Sequence, residues 1–225
     1  MGAPETAAHQ KPSDLAADLQ TRSCPVCNHV VKTARDFFAQ WQYALSRDDA
    51  AQKTFATELG FCARHMWQLH AMSSPWGESV GIAPLTERIS RELAEILEQR
   101  LTAIGKPPLV ANRLCRVCAM LKEAEATYLK SLANFVSTEQ GRQIYQRSHG
   151  VCLLHLGRLL ETASKGEHKF LLTNASRRFA EFAKGMRSYA AKREAVRRDL
   201  ITTDEEDASL RALIHIAGAQ EYSAP

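Results

Sequence analysis

The chain lacks any run of about 18 apolar residues, the length that a membrane-crossing helix needs. Its first residues, MGAPETAAHQKPSD, carry no apolar core, so no secretory signal is expected there. The net charge of +4 is too mild to imply a nucleic-acid partner by itself. No segment shows the period-2 alternation of a half-buried strand. There is no His-Glu-x-x-His, and no Ser, His and Asp set in a recognisable context. CPVCNH at 24–29 is not the Cys-x-x-Cys-His of haem attachment. These absences leave no assignable catalytic residue, and an enzyme with an open metal position ranks last among the readings. They also point to a cytoplasmic protein in a reducing compartment, where spaced cysteines favour metal or catalysis over disulfides.

What the sequence does hold is helical periodicity, which predicts an all-α fold. Val30, Ala34, Phe37, Phe38, Trp41 and Leu45 form one apolar stripe, and Val117, Leu121, Ala124, Tyr128, Leu132 and Phe135 form another. Leu85, Ile89, Leu93, Ile96, Leu97, Leu101 and Ile104 predict a helix entered after Pro84. Phe179, Phe182, Met186 and Tyr189 predict its counterpart. Thr203 with Glu206 reads as a capping box before Leu210, Leu213 and Ile214, with Gly218 as the stop.

The two halves read as a tandem repeat packed as one bundle. Cys24 and Cys27 recur 91 residues later as Cys115 and Cys118; Cys62 and His65 recur 90 residues later as Cys152 and His155. GKPPL at 105–109 breaks the helical pattern between them. The expected organisation is a mobile tail over 1–22, a first repeat over 23–109, a second over 110–200, and a C-terminal helix and tail over 201–225.

In a helical first turn, residues i and i+3 share a side, so Cys24 with Cys27 and Cys62 with His65 can each aim two donors at one point. Gly60 and Gly150 suit the left-handed turn that ends one helix before the next begins. Two converging pairs supply three thiolates and one imidazole, a closed tetrahedral metal environment. All six cysteines and two histidines fall into two such quartets: Cys24, Cys27, Cys62, His65, and Cys115, Cys118, Cys152, His155. Pairing within a half is the simpler expectation, because the loops closed are shorter. Sharing across halves, for example Cys24 and Cys27 with Cys152 and His155, is the alternative. Zinc is the default ion for this donor set, and a [4Fe–4S] cluster is its rival. The six remaining histidines, His9, His29, His70, His149, His168 and His215, are not repeated in the other half and read as surface or packed residues.

Residues 177–198 carry Arg177, Arg178, Lys184, Arg187, Lys192, Arg193, Arg197 and Arg198 against Glu181 and Glu194. Such a helix could grip phosphates, although a solvated face is the plainer reading. Trp67 and Trp76 read as core or linker anchors.

CPVC, GFCARH and the carboxy-terminal TDEEDASLRALIHIAG together resemble a family of uncharacterised bacterial proteins with Cys-Pro-x-Cys followed by Gly-Phe-Cys-x-x-His. The resemblance runs from about residue 22 to 218. It implies a bacterial cytoplasmic protein and the repeat, and it carries no activity. Three functions follow as expectations: a non-catalytic zinc protein whose surface serves a protein partner, an iron–sulfur protein in electron transfer or redox sensing, and a nucleic-acid-binding regulator using the basic helix.

Overall fold

The structure, a computed structural model, describes residues 11–100, 115–194 and 198–219, apart from the side chains at 99, 100, 194 and 198. Among these residues there are helices and no strands, as the periodicity predicts. In chain order they are α1 (Pro12–Asp18), α2 (Pro25–Arg47), α3 (Asp49–Thr57), α4 (Ala63–Met72), α5 (Pro75–Arg100), α6 (Arg116–Ser137), α7 (Glu139–Arg147), α8 (Leu153–Thr162), α9 (Lys165–Glu194), α10 (Thr203–Glu206) and α11 (Ala208–Ala217). A 3-10 turn covers Arg198–Leu200. Helix starts in α2 to α5 and α6 to α9 are separated by 91, 90, 90 and 90 residues. None of the helices is long and apolar enough to cross a membrane.

Two compact units of packed helices are distinguishable. The described residues up to Val31 join those from Glu123 onwards, and Lys32 to Lys122 form the second unit. The sequence expectation placed a division near residue 110, which lies outside the described residues. The unit boundaries fall inside helices α2 and α6, so each of these two helices belongs partly to each unit.

The first unit has one apolar core. Val26, Leu129, Leu132, Val136, Leu156, Leu159 and Leu171 are buried in it together with Cys24, Cys27 and Cys152. Part of the segment read as a mobile tail belongs to this core. Residues 12–18 are helical, Leu15 and Leu19 are 2% and 1% exposed, and the Tyr128 hydroxyl donates to Asp18 at 2.7 Å. Two leucines one turn apart bury enough apolar surface to order a short helix that composition marks as polar.

In the second unit an aromatic cluster forms around Phe61, with ring centroids 4.9 Å from Phe55, 5.8 Å from Phe37 and 6.0 Å from Phe38. Such edge-on pairs add to area burial.

The stripes of α2 and α6 are inward as expected: Val30, Ala34, Phe38 and Leu45 are buried, as are all six apolar residues of the α6 stripe. Other stripes are corrected. Helix α5 begins at Pro75 and runs through Pro84; Leu85 is buried, but Leu93 and Leu97 are exposed. Met186 on α9 lies at the surface. The capping box is Thr202 with Glu205, one residue earlier than the pattern suggested, and it opens α10. Helix α11 buries Ala208, Ala212 and His215 and turns Leu210 and Leu213 outward, with Gly218 at its end as expected. Trp67 and Trp76 are 71% and 65% exposed, not core anchors. A stripe can be read from sequence, but whether another element covers it cannot.

Candidate metal centres

Every donor pair sits at the start of a helix. Cys24, Cys62, Cys115 and Cys152 immediately precede α2, α4, α6 and α8, and Cys27, His65, Cys118 and His155 lie one turn in. Each leading cysteine carbonyl accepts the first helical hydrogen bond, from Asn28, Met66, Ala119 and Leu156. Helix N-termini favour negative charge, so thiolates there meet unpaired backbone N–H groups. Two starts follow a left-handed glycine, Gly60 at φ 76° and Gly150 at φ 74°, as the sequence suggested.

The donors converge as two quartets, one of Cys24, Cys27, Cys152 and His155, the other of Cys62, His65, Cys115 and Cys118. Within each, the donor atoms all lie within 4.8 Å of one another. Each quartet takes its Cys-x-x-Cys from one half of the sequence and its Cys-x-x-His from the other. The expected pairing within a half is therefore overturned in favour of sharing across halves. The physical reason is scale: tripling a loop costs about 1 kcal/mol of closure entropy. Burying the start of α2 with α6 and α8 in one apolar core outweighs that.

In the first quartet, His155 Nδ1 is 3.1 Å from Cys152 Sγ and 3.4 Å from both Cys24 and Cys27, and Cys27 and Cys152 are 3.9 Å apart. In the second, His65 Nδ1 is 3.2, 3.3 and 3.4 Å from Cys62, Cys115 and Cys118, and Cys62 and Cys118 are 3.8 Å apart. All six cysteines are free thiols, with no disulfide. The first quartet is fully enclosed, whereas Cys62 and Cys118 of the second are half-buried.

The proton affinities express this crowding. Burial, then hydrogen bonds with Cys152 and Cys27, push the Cys24 thiol well up, and burial with the Cys115 and Cys62 charges pushes Cys118 up to about 12. Hydrogen bonds from Cys24 and Cys27 hold Cys152 far down. Burial would raise Cys115, but backbone donors at Cys62, Cys118 and Val117 outweigh it and lower it. Burial opposes a proton on His155, yet hydrogen bonds with Cys152, Cys27 and Glu125 raise it to about 11. Burial and the Arg64 charge lower His65. Protons thus occupy part of each donor set, and a bound cation would displace them.

One residue near the site was missed in the sequence. Glu125 on α6 is 3% exposed and lies 2.9 Å from His155 Nε2, and Arg158 pairs with the same oxygen. Burial would raise this carboxyl, but His155 and Arg158 hold it low. A carboxylate on the outer imidazole nitrogen fixes the ring so that Nδ1 faces the sulfurs. The signal was faint: one of two glutamates, Glu123 and Glu125, that flank Ala124 in the Leu121–Ala124–Tyr128 stripe. The second quartet has Ala34 at the position 91 residues earlier. Glu125→Gln should weaken metal retention at the first quartet by about 10–100-fold and leave the second unchanged, as read by competition with a chromophoric chelator.

The other histidines lie outside both quartets. His70 pairs with Glu78 at 2.9 Å, the His29 ring lies tilted against Tyr128 with centroids 4.7 Å apart, and His168 reaches the Ala163 carbonyl at 3.3 Å. His215 is buried between the Arg211 and His149 carbonyls. His9 lies outside the described residues.

Of the basic residues over 177–198, three are engaged within the fold. Arg178 is buried on the Tyr145 and Ser148 carbonyls, Arg177 pairs with Glu181, and Lys192 pairs with Glu205. Arg193 lies over the Tyr189 ring at 5.9 Å, and Lys184 and Arg187 are exposed. Arg197 and the Arg198 side chain lie outside the described residues.

Fold and site together define an all-α protein with two Cys3His donor sets able to hold metal. No family model, curated protein or solved structure matches the chain.

Proposed function

We propose that each quartet binds one zinc ion and that the two ions staple a non-catalytic helical protein. The observation that carries this is the spacing of the donors. A single tetrahedral zinc with Zn–S about 2.3 Å and Zn–N about 2.0–2.1 Å needs edges of about 3.8 Å between sulfurs and about 3.5 Å between sulfur and nitrogen. One sulfur pair in each quartet, at 3.9 and 3.8 Å, and the sulfur–nitrogen pairs at 3.1–3.4 Å suit that frame, and all donor atoms of a quartet lie within 4.8 Å. A four-iron cluster attaches each donor to a different iron, which spreads the donors well beyond such edges. Four strong donors also leave no open position for water or substrate, which supports a structural role. The exposed rings of Trp67 and Trp76 support a protein partner, because aromatic anchors are favoured at interfaces.

Protein purified without air should be colourless and carry about two zinc ions per chain by elemental analysis. Brown protein with broad visible absorbance, and iron in place of zinc, would overturn the reading in favour of clusters.

A further inference from the structure

Helix α7 ends at Arg147, and its last carbonyls need partners. Two arginines of α9 supply them. Arg178 donates to the Tyr145 carbonyl at 2.6 Å and the Ser148 carbonyl at 3.1 Å, and Arg177 donates to the Gln146 carbonyl at 2.9 Å. This arrangement brings positive charge to a cavity of about 480 Å³, within the size range of small-ligand sites. Arg147, Arg177, Arg178, Arg211 and His149 line it. Glu181 is the one carboxylate in its lining, and Arg177 already engages it at 3.0 Å.

Not all of these groups are consumed by the fold. The Arg147 guanidinium is exposed and, like the His149 ring, makes no hydrogen bond or ion pair among the described residues. Arg211 rests 5.7 Å over the Phe182 ring, donates to the Asp204 carbonyl and lies 3.6 Å from the Asp204 carboxylate, and its Nε is buried without a partner. Burial and the charges of His215, Arg211, Arg22 and Arg178 lower the proton affinity of His149, so the field in this corner is positive. Converging like charges destabilise a fold unless an anion joins them. Nor does the helical framework require Arg147 or His149. The positions 90 residues before Arg147, Ser148, His149 and Arg177 are Thr57, Glu58, Leu59 and Glu87.

We propose that this cavity binds the phosphate group of a small phosphorylated organic molecule. Guanidinium forks match phosphate oxygens two at a time, and the Phe182 ring offers an apolar wall for the organic part. The site lies outside both metal quartets and does not depend on which ion they hold.

Titration calorimetry on the metal-loaded full chain tests this, with inorganic phosphate, pyrophosphate, ribose 5-phosphate and AMP as probes. Saturable binding is expected at or below millimolar concentration, weakened about tenfold or more by Arg147→Gln and unaffected by Arg187→Gln, an exposed change outside the cavity. Tighter binding of the phosphomonoesters than of inorganic phosphate identifies an organic phosphate. Equal binding, still lost in Arg147→Gln, retains the oxyanion site and overturns the organic part of the assignment. Absence of saturable binding, or binding indifferent to Arg147, overturns the proposal. So does a preference for a duplex oligonucleotide over every small anion. Metal content measured on the same samples separates these results from any failure of the zinc reading.

Discussion

Replacing Cys24 and Cys152 together by serine is expected to remove one metal ion per chain, while replacing Cys24 and Cys62 together removes both. The pattern follows from the composition of the quartets, because Cys24 and Cys152 share one donor set and Cys24 and Cys62 do not. Pairing within each half of the sequence would give the reverse. Serine is a poor zinc ligand, and three remaining donors hold the ion far less tightly. Structural zinc contributes about 10–16 kcal/mol of apparent binding energy in small zinc peptides that have little else. Here the first unit has its own apolar core, so a loss of several kcal/mol is expected in place of complete unfolding. Native mass spectrometry reads the ion count, and denaturant titration reads the stability.

Gly150→Ala should destabilise the first unit by about 3 kcal/mol or more, the sum of a left-handed non-glycine residue and a disrupted charged hydrogen-bond pair. At φ 74° an added Cβ would lie 2.3 Å from Arg178 Nη1 and 2.7 Å from its Cζ. Moving that guanidinium aside would break its engaged contacts. It is held by the Tyr145 and Ser148 carbonyls and lies 4.8 Å over the Tyr145 ring. Because Cys152 is two residues on, metal retention at the first quartet should fall with stability. Gly60→Ala makes a useful comparison. Its backbone is equally left-handed at φ 76°, but the added Cβ meets the end of the Leu85 side chain at 3.1 Å, and that end can shift. The expected loss is correspondingly nearer the backbone share alone, about 1–2 kcal/mol. Gly157→Ala, on the exposed side of α8 with nothing within 4 Å, should instead gain about 0.5–1 kcal/mol. Chemical denaturation of the three variants ranks them.

The donors were legible because their chemistry is local. A cysteine before a helix and a cysteine or histidine one turn later point the same way whatever the rest of the fold does. Their partnership was not legible, because it is a tertiary fact decided by which apolar faces meet. Loop closure, the one pairing criterion available from sequence, varies only logarithmically with span and carries too little energy to choose. The same division runs through the helices. Leu93, Leu210 and Leu213 have the right spacing for a core, yet nothing covers them among the described residues, while Leu15 and Leu19 are buried from a segment whose composition reads as polar. Glu125 was missed for a related reason: only the position of His155 in space turns a lone carboxylate into an orienting group.

The donor sets also have a nested order along the chain. The 56 residues separating Cys62 from Cys118 lie wholly inside the 125 that separate Cys27 from Cys152. Closing the inner span first leaves 69 residues to be spanned by the outer one, an entropic saving of about 0.5 kcal/mol. The saving is reciprocal, because the free energy of closing both spans does not depend on their order, but the inner span is less than half as long and on its own costs about 0.7 kcal/mol less to close. Under the zinc reading, a nascent or refolding chain therefore has a built-in sequence of ion capture, in which the more exposed centre fills early and shortens the search for the sealed one.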